Sequence, residues 1–143
     1  MINNLSEYFL PEQQFYLHKI VYDRMECISS KQQFMLNCAD NINVEVNDKK
    51  DIRVIVTRTL SFEPEEMFFL SVSFGADLQL DQQKADEYNW HEINLAEEFR
   101  ENGNFVTDNL MSRITLLIAQ ITSSFGQQPL ILLPSVTKPH KEE

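Results

Sequence analysis

The chain has 143 residues, enough for one domain with a sizeable core, and 43% of them are hydrophobic, which argues against general disorder. Its formal net charge of −10 argues against nucleic acid and anionic membranes as partners, because both are negatively charged. No apolar run approaches the ~20 residues that cross a bilayer, and the N-terminus does not resemble a signal peptide. We therefore expect a cytoplasmic protein without membrane insertion.

The N-terminal part of the chain predicts an arm followed by a bent strand. Residues 1–14 are polar overall and predict a flexible arm. The first strand is predicted over about residues 15–28. Its apolar residues change parity along the strand: Phe15 and Leu17, then Ile20 and Tyr22. Such a change indicates a β-bulge or bend between the two halves.

Alternation of apolar and polar residues predicts three further strands, because successive side chains of a strand point to opposite faces. They cover about residues 34–46, 52–62 and 66–80. The pattern is clearest in the last strand, where every even position from Phe68 to Leu80 is apolar. The turns between the strands are short, and one of them carries Pro64. We therefore predict a meander of neighbouring antiparallel strands.

Two helices are predicted after the sheet. Asn94 is the predicted N-cap of a short helix that ends at Gly103. A long helix follows, with Asp108 as predicted N-cap, Gly126 as the C′ residue and apolar residues at 3.6-residue spacing between them. The predicted fold class is α+β, a four-stranded antiparallel β-sheet with the long C-terminal helix packed on one face.

The end of the chain adds a domain boundary and a hypothesis about assembly. A short apolar segment covers residues 129–134, and residues 137–143 form a polar tail. With no internal repeat and no flexible linker, a single domain is predicted over residues 15–136. Leu116 lies off the main stripe of the long helix, so a second helix face is expected to be buried in a homodimer or homotetramer.

The sequence predicts no catalytic, cofactor or metal site, so an enzyme is not expected. His18, His91 and His140 are far apart, and neither CxxC nor HExxH occurs. Only three glycines are present, which excludes glycine-rich phosphate loops, and the GxSxG motif is missing. Cys27 and Cys38 are predicted to be reduced thiols, as is usual in the cytosol.

Aromatic residues between the fourth strand and the long helix give the one binding hypothesis. Trp90, Phe99 and Phe105 lie in this stretch. One interpretation is that they pack in the core beneath a long connection. The other is that they line an apolar groove for extended peptide segments. Under the second interpretation, five residues are predicted to bind peptide: Trp90, Phe99, Phe105, Met111 and Ile114.

The order of these elements resembles the SecB family, and three strand segments carry part of the resemblance. They are Phe15-x-Leu17-x-x-Ile20, Ile52-Arg-Val-Ile-Val-Thr-Arg-Thr-Leu60 and Glu65-Glu-x-Phe-Phe-Leu70. They resemble the first, third and fourth strands of SecB proteins.

The end of the long helix resembles SecB most specifically. Gly126 is followed by two residues and then by Pro129-Leu-Ile-Leu-Leu-Pro134-Ser-Val136. SecB proteins close their long helix with the same arrangement of a glycine, a proline and a leucine-rich segment. The resemblance runs from about residue 15 to residue 136.

The resemblance implies a non-catalytic, oligomeric chaperone that holds unfolded or extended polypeptide in hydrophobic grooves. SecB proteins pass their clients to SecA, but the positions of the docking acids read Arg24, Ile28 and Val72 here, which makes SecA docking doubtful. SecB proteins also continue into a second helix, whereas this sequence stops seven residues after Val136. We therefore expect a shorter SecB-like relative rather than the export chaperone itself.

Two alternatives to a general chaperone stay open. The chain could be a scaffold or adaptor with one dedicated protein partner, for example in a toxin–antitoxin system, because one fold can serve several functions. A small-molecule enzyme is the third hypothesis, and a closed polar pocket with a perturbed acid would be needed to support it.

Overall fold

The structure is a computed structural model that describes residues 2–26, 35–48, 51–63, 67–126 and 128–137. In chain order, the elements are a 3-10 helix (Leu5–Tyr8), β1 (Phe9–Arg24), β2 (Met35–Val46), β3 (Asp51–Glu63), β4 (Phe68–Leu80), a 3-10 turn (Ala85–Glu87), α1 (Leu95–Asn102) and α2 (Asn104–Ser123). Several predicted features lie outside the described residues: Cys27, Ile28, the turn at Pro64, His140 and the tail beyond Thr137.

The four strands form one antiparallel sheet in the order β1-β4-β3-β2. The predicted α+β fold, with a long C-terminal helix, is therefore confirmed. The predicted meander is wrong in one place, because β1 pairs with β4 and not with β2. The burial of the strands follows this order. β4 is buried along most of its length, as suits a central strand, whereas β1 is mostly exposed and lies at an edge.

The N-terminal residues belong to the folded structure, so the predicted flexible arm is wrong. β1 begins at Phe9, and Ile2, Leu5 and Tyr8 are buried in the core ahead of it. Polar atoms also hold this segment, since the Tyr8 hydroxyl donates to Glu87 Oε2 at 2.8 Å. Ile2, Leu5 and Tyr8 recur at three-residue spacing, but the segment is too short for this spacing to identify a buried element in the sequence.

The predicted bulge in β1 is confirmed. The pairing of β1 with β4 shifts between Leu17 and Lys19, so His18 is the extra residue. Leu17 then lies opposite Phe74, and Ile20 lies opposite Val72. Because Phe74 and Val72 share one face of β4, the bulge brings both halves of β1 onto that face despite their change of parity.

Gly103 ends α1 and begins α2. The predicted cap of α1 is confirmed, because the Asn94 side chain accepts a hydrogen bond from Glu97 N. Asp108 as the start of α2 is wrong: the helix begins one turn earlier, at Asn104. The Gly103 carbonyl accepts the bonds of the first turn of α2, and a Cβ at this position would lie 2.3 Å from Phe99 O. A glycine is therefore required where the two helices meet.

The core lies between the sheet and the two helices. α2 packs on the middle strands β4 and β3, and α1 packs near β2. Fully buried aliphatic residues fill this layer from the strands and from α2: Val54, Val56, Leu60, Leu70, Val72, Leu110, Ile114 and Ile118. Because α2 lies over the middle of the sheet, the two edge strands extend past it on either side.

Candidate functional site

The structure places the five predicted peptide-binding residues mainly in the core. Trp90, Phe99, Met111 and Ile114 are all buried, and Phe105 is partly buried. The Trp90 indole N–H donates to Ala85 O at 2.9 Å, so its polar atom is also satisfied internally. The core-packing interpretation therefore describes these side chains, and four of the five have almost no surface to offer a bound peptide in this structure.

Phe9 brings the predicted aromatic residues together. Its ring centre lies 6.0 Å from that of Trp90, 5.9 Å from that of Phe99 and 5.8 Å from that of Phe105. These tilted contacts pack the connection after β4 onto the start of β1. The cluster is structural, and Phe9 was missed because its segment was assigned to the arm.

An exposed apolar row lies on β1, on the face of the sheet that carries the helices. Leu17 is 49% exposed, and Ile20 and Tyr22 are each 42% exposed. All three lie opposite buried or half-buried residues of β4. They stay exposed because α2 covers β4 and β3 and leaves the edge strand open. Sequence patterns identify these residues as one face, but they do not show that the helix fails to cover it.

The side of α2 that faces β1 borders this row. The Arg113 guanidinium lies 5.0 Å from the centre of the Phe15 ring, which places that side of the helix above β1. Leu117 and Ile121 follow Arg113 by four and eight residues and therefore share its side of the helix. We call this region the β1-side surface: Phe15, Leu17, Ile20, Tyr22, Arg113, Leu117 and Ile121.

The β1-side surface ends in an open cavity of about 480 Å³ lined by aromatic rings and methionines. Its residues, the aromatic–methionine cavity, are Tyr22, Arg24, Met25, Glu26, Met67, Phe68 and Phe125. The rings of Tyr22 and Phe68 each lie 5.1 Å from Phe125. Methionine side chains adapt to partners of different shape, so such a lining suits variable apolar ligands.

β1 also offers backbone groups along the same surface. It is an edge strand, and no other strand of the described chain pairs on its outer side. The outward N–H and C=O groups of an edge strand can pair with an added extended segment. Backbone pairing and apolar contact are therefore available side by side on β1.

The opposite side of α2 is covered by the end of the chain. Residues 128–137, which we call the C-terminal strap, are held by Arg58 of β3 and Asp40 of β2. Arg58 Nη1 donates to Leu133 O at 2.9 Å, and Nη2 donates to Ser135 O at 2.9 Å. Asp40 Oδ2 accepts from Thr137 N at 2.8 Å. The β2 side of the sheet is thus closed where the β1 side is open.

Arg58 and Asp40 form a buried ion pair. Their side chains are 1% and 0% exposed, Arg58 Nε lies 2.7 Å from Asp40 Oδ1, and Nη2 lies 2.8 Å from Oδ2. Burial opposes the guanidinium charge, but the hydrogen bonds and charge of Asp40 outweigh it and raise the pKa of Arg58. The guanidinium therefore stays charged, and the bidentate contact with Asp40 fixes it in one orientation.

The described residues contain no group of three or more His, Cys, Asp or Glu side chains that could hold a metal ion. None of the described helices is both long and apolar enough to cross a membrane. The described chain leaves an apolar surface uncovered along β1.

No protein-family model matches the chain, and no curated protein matches it. Among solved structures, it is similar to a SecB-like chaperone of Mycobacterium tuberculosis in complex with a ChAD peptide from the HigA1 antitoxin. The TM-score is 0.65 at 12% sequence identity, over 90% of this chain and 92% of that chain. A protein of unknown function from Streptococcus agalactiae matches over 85% of this chain and 97% of that chain at 12% identity, with a TM-score of 0.39 that is too low to indicate a shared fold.

The first comparison confirms the predicted SecB-like fold. The four-stranded antiparallel sheet and the long C-terminal helix are shared over nine-tenths of both chains. At 12% identity, the likeness concerns the fold and not the individual residues of a site.

Proposed function

We propose that the protein is a non-catalytic, SecB-like polypeptide-binding protein that holds unfolded or extended chains on its β1-side surface. One observation carries the proposal: an apolar row on an edge strand is left uncovered by the helix and leads into the aromatic–methionine cavity. A cytoplasmic location is part of the same proposal.

The proposed binding does not depend on the amino-acid sequence of the client. Burying apolar surface of a client gains ~25 cal/mol per Å² whatever the order of its side chains. Pairing of the client backbone with the edge of β1 adds affinity that is equally independent of sequence. The net charge of −10 helps to keep such a complex soluble.

The M. tuberculosis protein, whose structure contains a bound antitoxin peptide, supports a peptide as the kind of ligand. It also supports the second candidate, an adaptor with one dedicated protein partner. A pull-down that returns a single stoichiometric protein, together with no effect on unrelated clients, would favour the adaptor.

Docking to SecA is not part of the proposal. Of the three positions that match the docking acids of SecB, Val72 is fully buried beneath the helices and Arg24 is a cation. Ile28 lies outside the described residues.

The test is the aggregation of a chemically unfolded client, diluted with and without the protein. The wild-type chain should slow aggregation, and the variant L17S/I20S should lose most of this effect, because two residues of the apolar row become polar. The matched control is Ile131→Ser, which changes an exposed aliphatic residue on the strap.

Two results would contradict the proposal. One is unchanged aggregation at several-fold molar excess of the wild-type protein. The other is equal activity of L17S/I20S and wild type, which would show that the client binds elsewhere. Far-UV circular dichroism of each variant confirms that the sheet is intact.

We also propose that the chain forms a homodimer or homotetramer that buries the outer face of α2. Leu116 is 62% exposed in the middle of that helix. Leu116→Asp should lower the mass measured by sedimentation, because a charge would have to be buried at the interface. A wild-type protein that sediments as a monomer would refute this proposal.

A further inference from the structure

The C-terminal strap is bound through its backbone. Thr122 Oγ1 accepts from Leu130 N at 2.8 Å, Arg58 donates to the carbonyls of Leu133 and Ser135, and Asp40 accepts from Thr137 N. The partners are all side chains of the folded body, and the groups they bind are all main-chain groups of the strap. The strap bends at Pro134 and Ser135, and another segment that follows the same path would present the same main-chain groups.

The side chains of the strap make only a light contact. Leu130 and Leu132 are partly buried against the core, whereas Ile131 and Leu133, at the alternate positions, are 79% and 78% exposed. None of the strap residues is fully buried. The side-chain requirement of this contact is therefore two aliphatic residues at alternate positions, with a third at Val136.

We propose that the surface beneath the strap is a second polypeptide-binding site, which the chain's own residues 128–137 occupy in this structure. Its ligand is a segment with aliphatic side chains at two alternate positions, followed by a bend like the one at Pro134 and Ser135. Arg58, oriented by Asp40, binds two carbonyls of that segment. The inference goes beyond the proposed function, because it does not require the β1-side surface.

The strap has an advantage over any free segment because it is tethered. A short tether gives an effective concentration on the order of millimolar, so a free peptide competes poorly in the wild-type chain. Weakening the strap without touching Arg58 or Asp40 should therefore uncover the site.

The test uses a fluorescein-labelled peptide with the sequence of residues 128–137 and measures its binding to the full chain by fluorescence anisotropy. L130D/L132D places charges on the inward side of the strap and should bind the peptide at least about tenfold more tightly than wild type does. I131D/L133D carries the same charges on the outward side and should bind as weakly as wild type.

Substitutions in the peptide provide a second binding test, which does not depend on the stability of a protein variant. A peptide that carries Asp at the positions of Leu130 and Leu132 should not bind to the L130D/L132D protein. A peptide that carries Asp at the positions of Ile131 and Leu133 should bind to the same protein with an affinity within about threefold of the unaltered peptide. If L130D/L132D does not fold, Leu132→Ala replaces it, and both peptides are measured on that variant.

Three results would overturn the inference: no binding to a folded strap variant, equal binding to all three chains, or equal binding of the two altered peptides. Adding L17S/I20S to the strap variant separates this inference from the proposed function. Peptide binding should be unchanged. Loss of binding would place the peptide on β1, which refutes the second site and supports the first.

Discussion

The two sides of α2 differ in how they meet the rest of the chain. On the β2 side, the strap is held by a buried ion pair and by hydrogen bonds to its backbone. On the β1 side, aliphatic and aromatic residues stay about half exposed, because no segment of the described chain covers them. Directional polar contacts hold one segment in one geometry, whereas non-directional apolar contacts accept many ligands. The first side fixes the strap by directional contacts, and the second leaves its apolar residues partly uncovered.

The largest effect is expected from breaking the ion pair on the strap side. Asp40→Ala leaves Arg58 buried without its counter-ion and should lower the free energy of unfolding by about 3–5 kcal/mol. Asp77→Ala is the control, because the Arg53–Asp77 pair at 3.0 Å is substantially exposed and should contribute less than about 1 kcal/mol. Urea unfolding measures both. Equal losses would mean that the strap-side pair is open to water in solution.

A second prediction separates the core from the β1-side surface. Met111→Ala removes a fully buried side chain and should cost about 3 kcal/mol in urea unfolding, yet leave client binding of the folded protein unchanged. Met35→Ala, at an exposed position on β2, should change stability by less than about 0.5 kcal/mol. Loss of client binding by well-folded Met111→Ala would return Met111 to the binding site.

The reactivity of the Cys38 thiol measures how well the β2 side of the sheet is protected from solvent. Burial raises the pKa of the Cys38 thiol, and the charge of Arg58 opposes this only in part. At a given pH the thiolate fraction is therefore smaller than in a free cysteine, and alkylation should be several-fold slower and should accelerate only at higher pH. The rate is measured by mass spectrometry in a Cys27→Ser background, with the urea-unfolded chain as control. The same rate in both states would show that the thiol is not protected.

The smallest effect concerns the border of the β1-side surface. Arg113→Ala removes the cation above the Phe15 ring and should cost about 0.5 kcal/mol, as expected for an exposed cation–π contact. A double-mutant cycle with Phe15→Leu isolates this interaction from the hydrogen bond between Arg113 and Asn109. A coupling energy of zero would mean that the side chain leaves the ring in solution.

Most of the fold could be predicted from local patterns. Alternation gave the strands, 3.6-residue spacing gave the long helix, and the parity change in β1 gave the bulge at His18. The position of β1 beside β4 depends on contacts between distant residues, which local patterns do not contain. The N-terminal residues were missed for the same reason, since Ile2 and Leu5 are buried by parts of the chain far away in sequence.

The candidate site was harder to predict, because composition does not show which apolar residues a helix will cover. Trp90 and Tyr22 are both aromatic, yet one is buried and the other half exposed. The ion pair did leave a signal: Arg58 occupies a position of β3 at which the neighbours of the same parity, Val56 and Leu60, are apolar. A charge on a buried face needs a partner, and Asp40 lies opposite it on β2.

Because of the bulge at His18, the placement of Leu17 and Ile20 on one face depends on how many residues separate them and not on which residues these are. Replacing His18 leaves Leu17 and Ile20 on the same face, because the backbone register is kept. Deleting one residue there removes the parity switch, and one half of the strand then has to turn its apolar side chains to the other face of the sheet. The length of β1 at this point should therefore tolerate much less variation than its sequence.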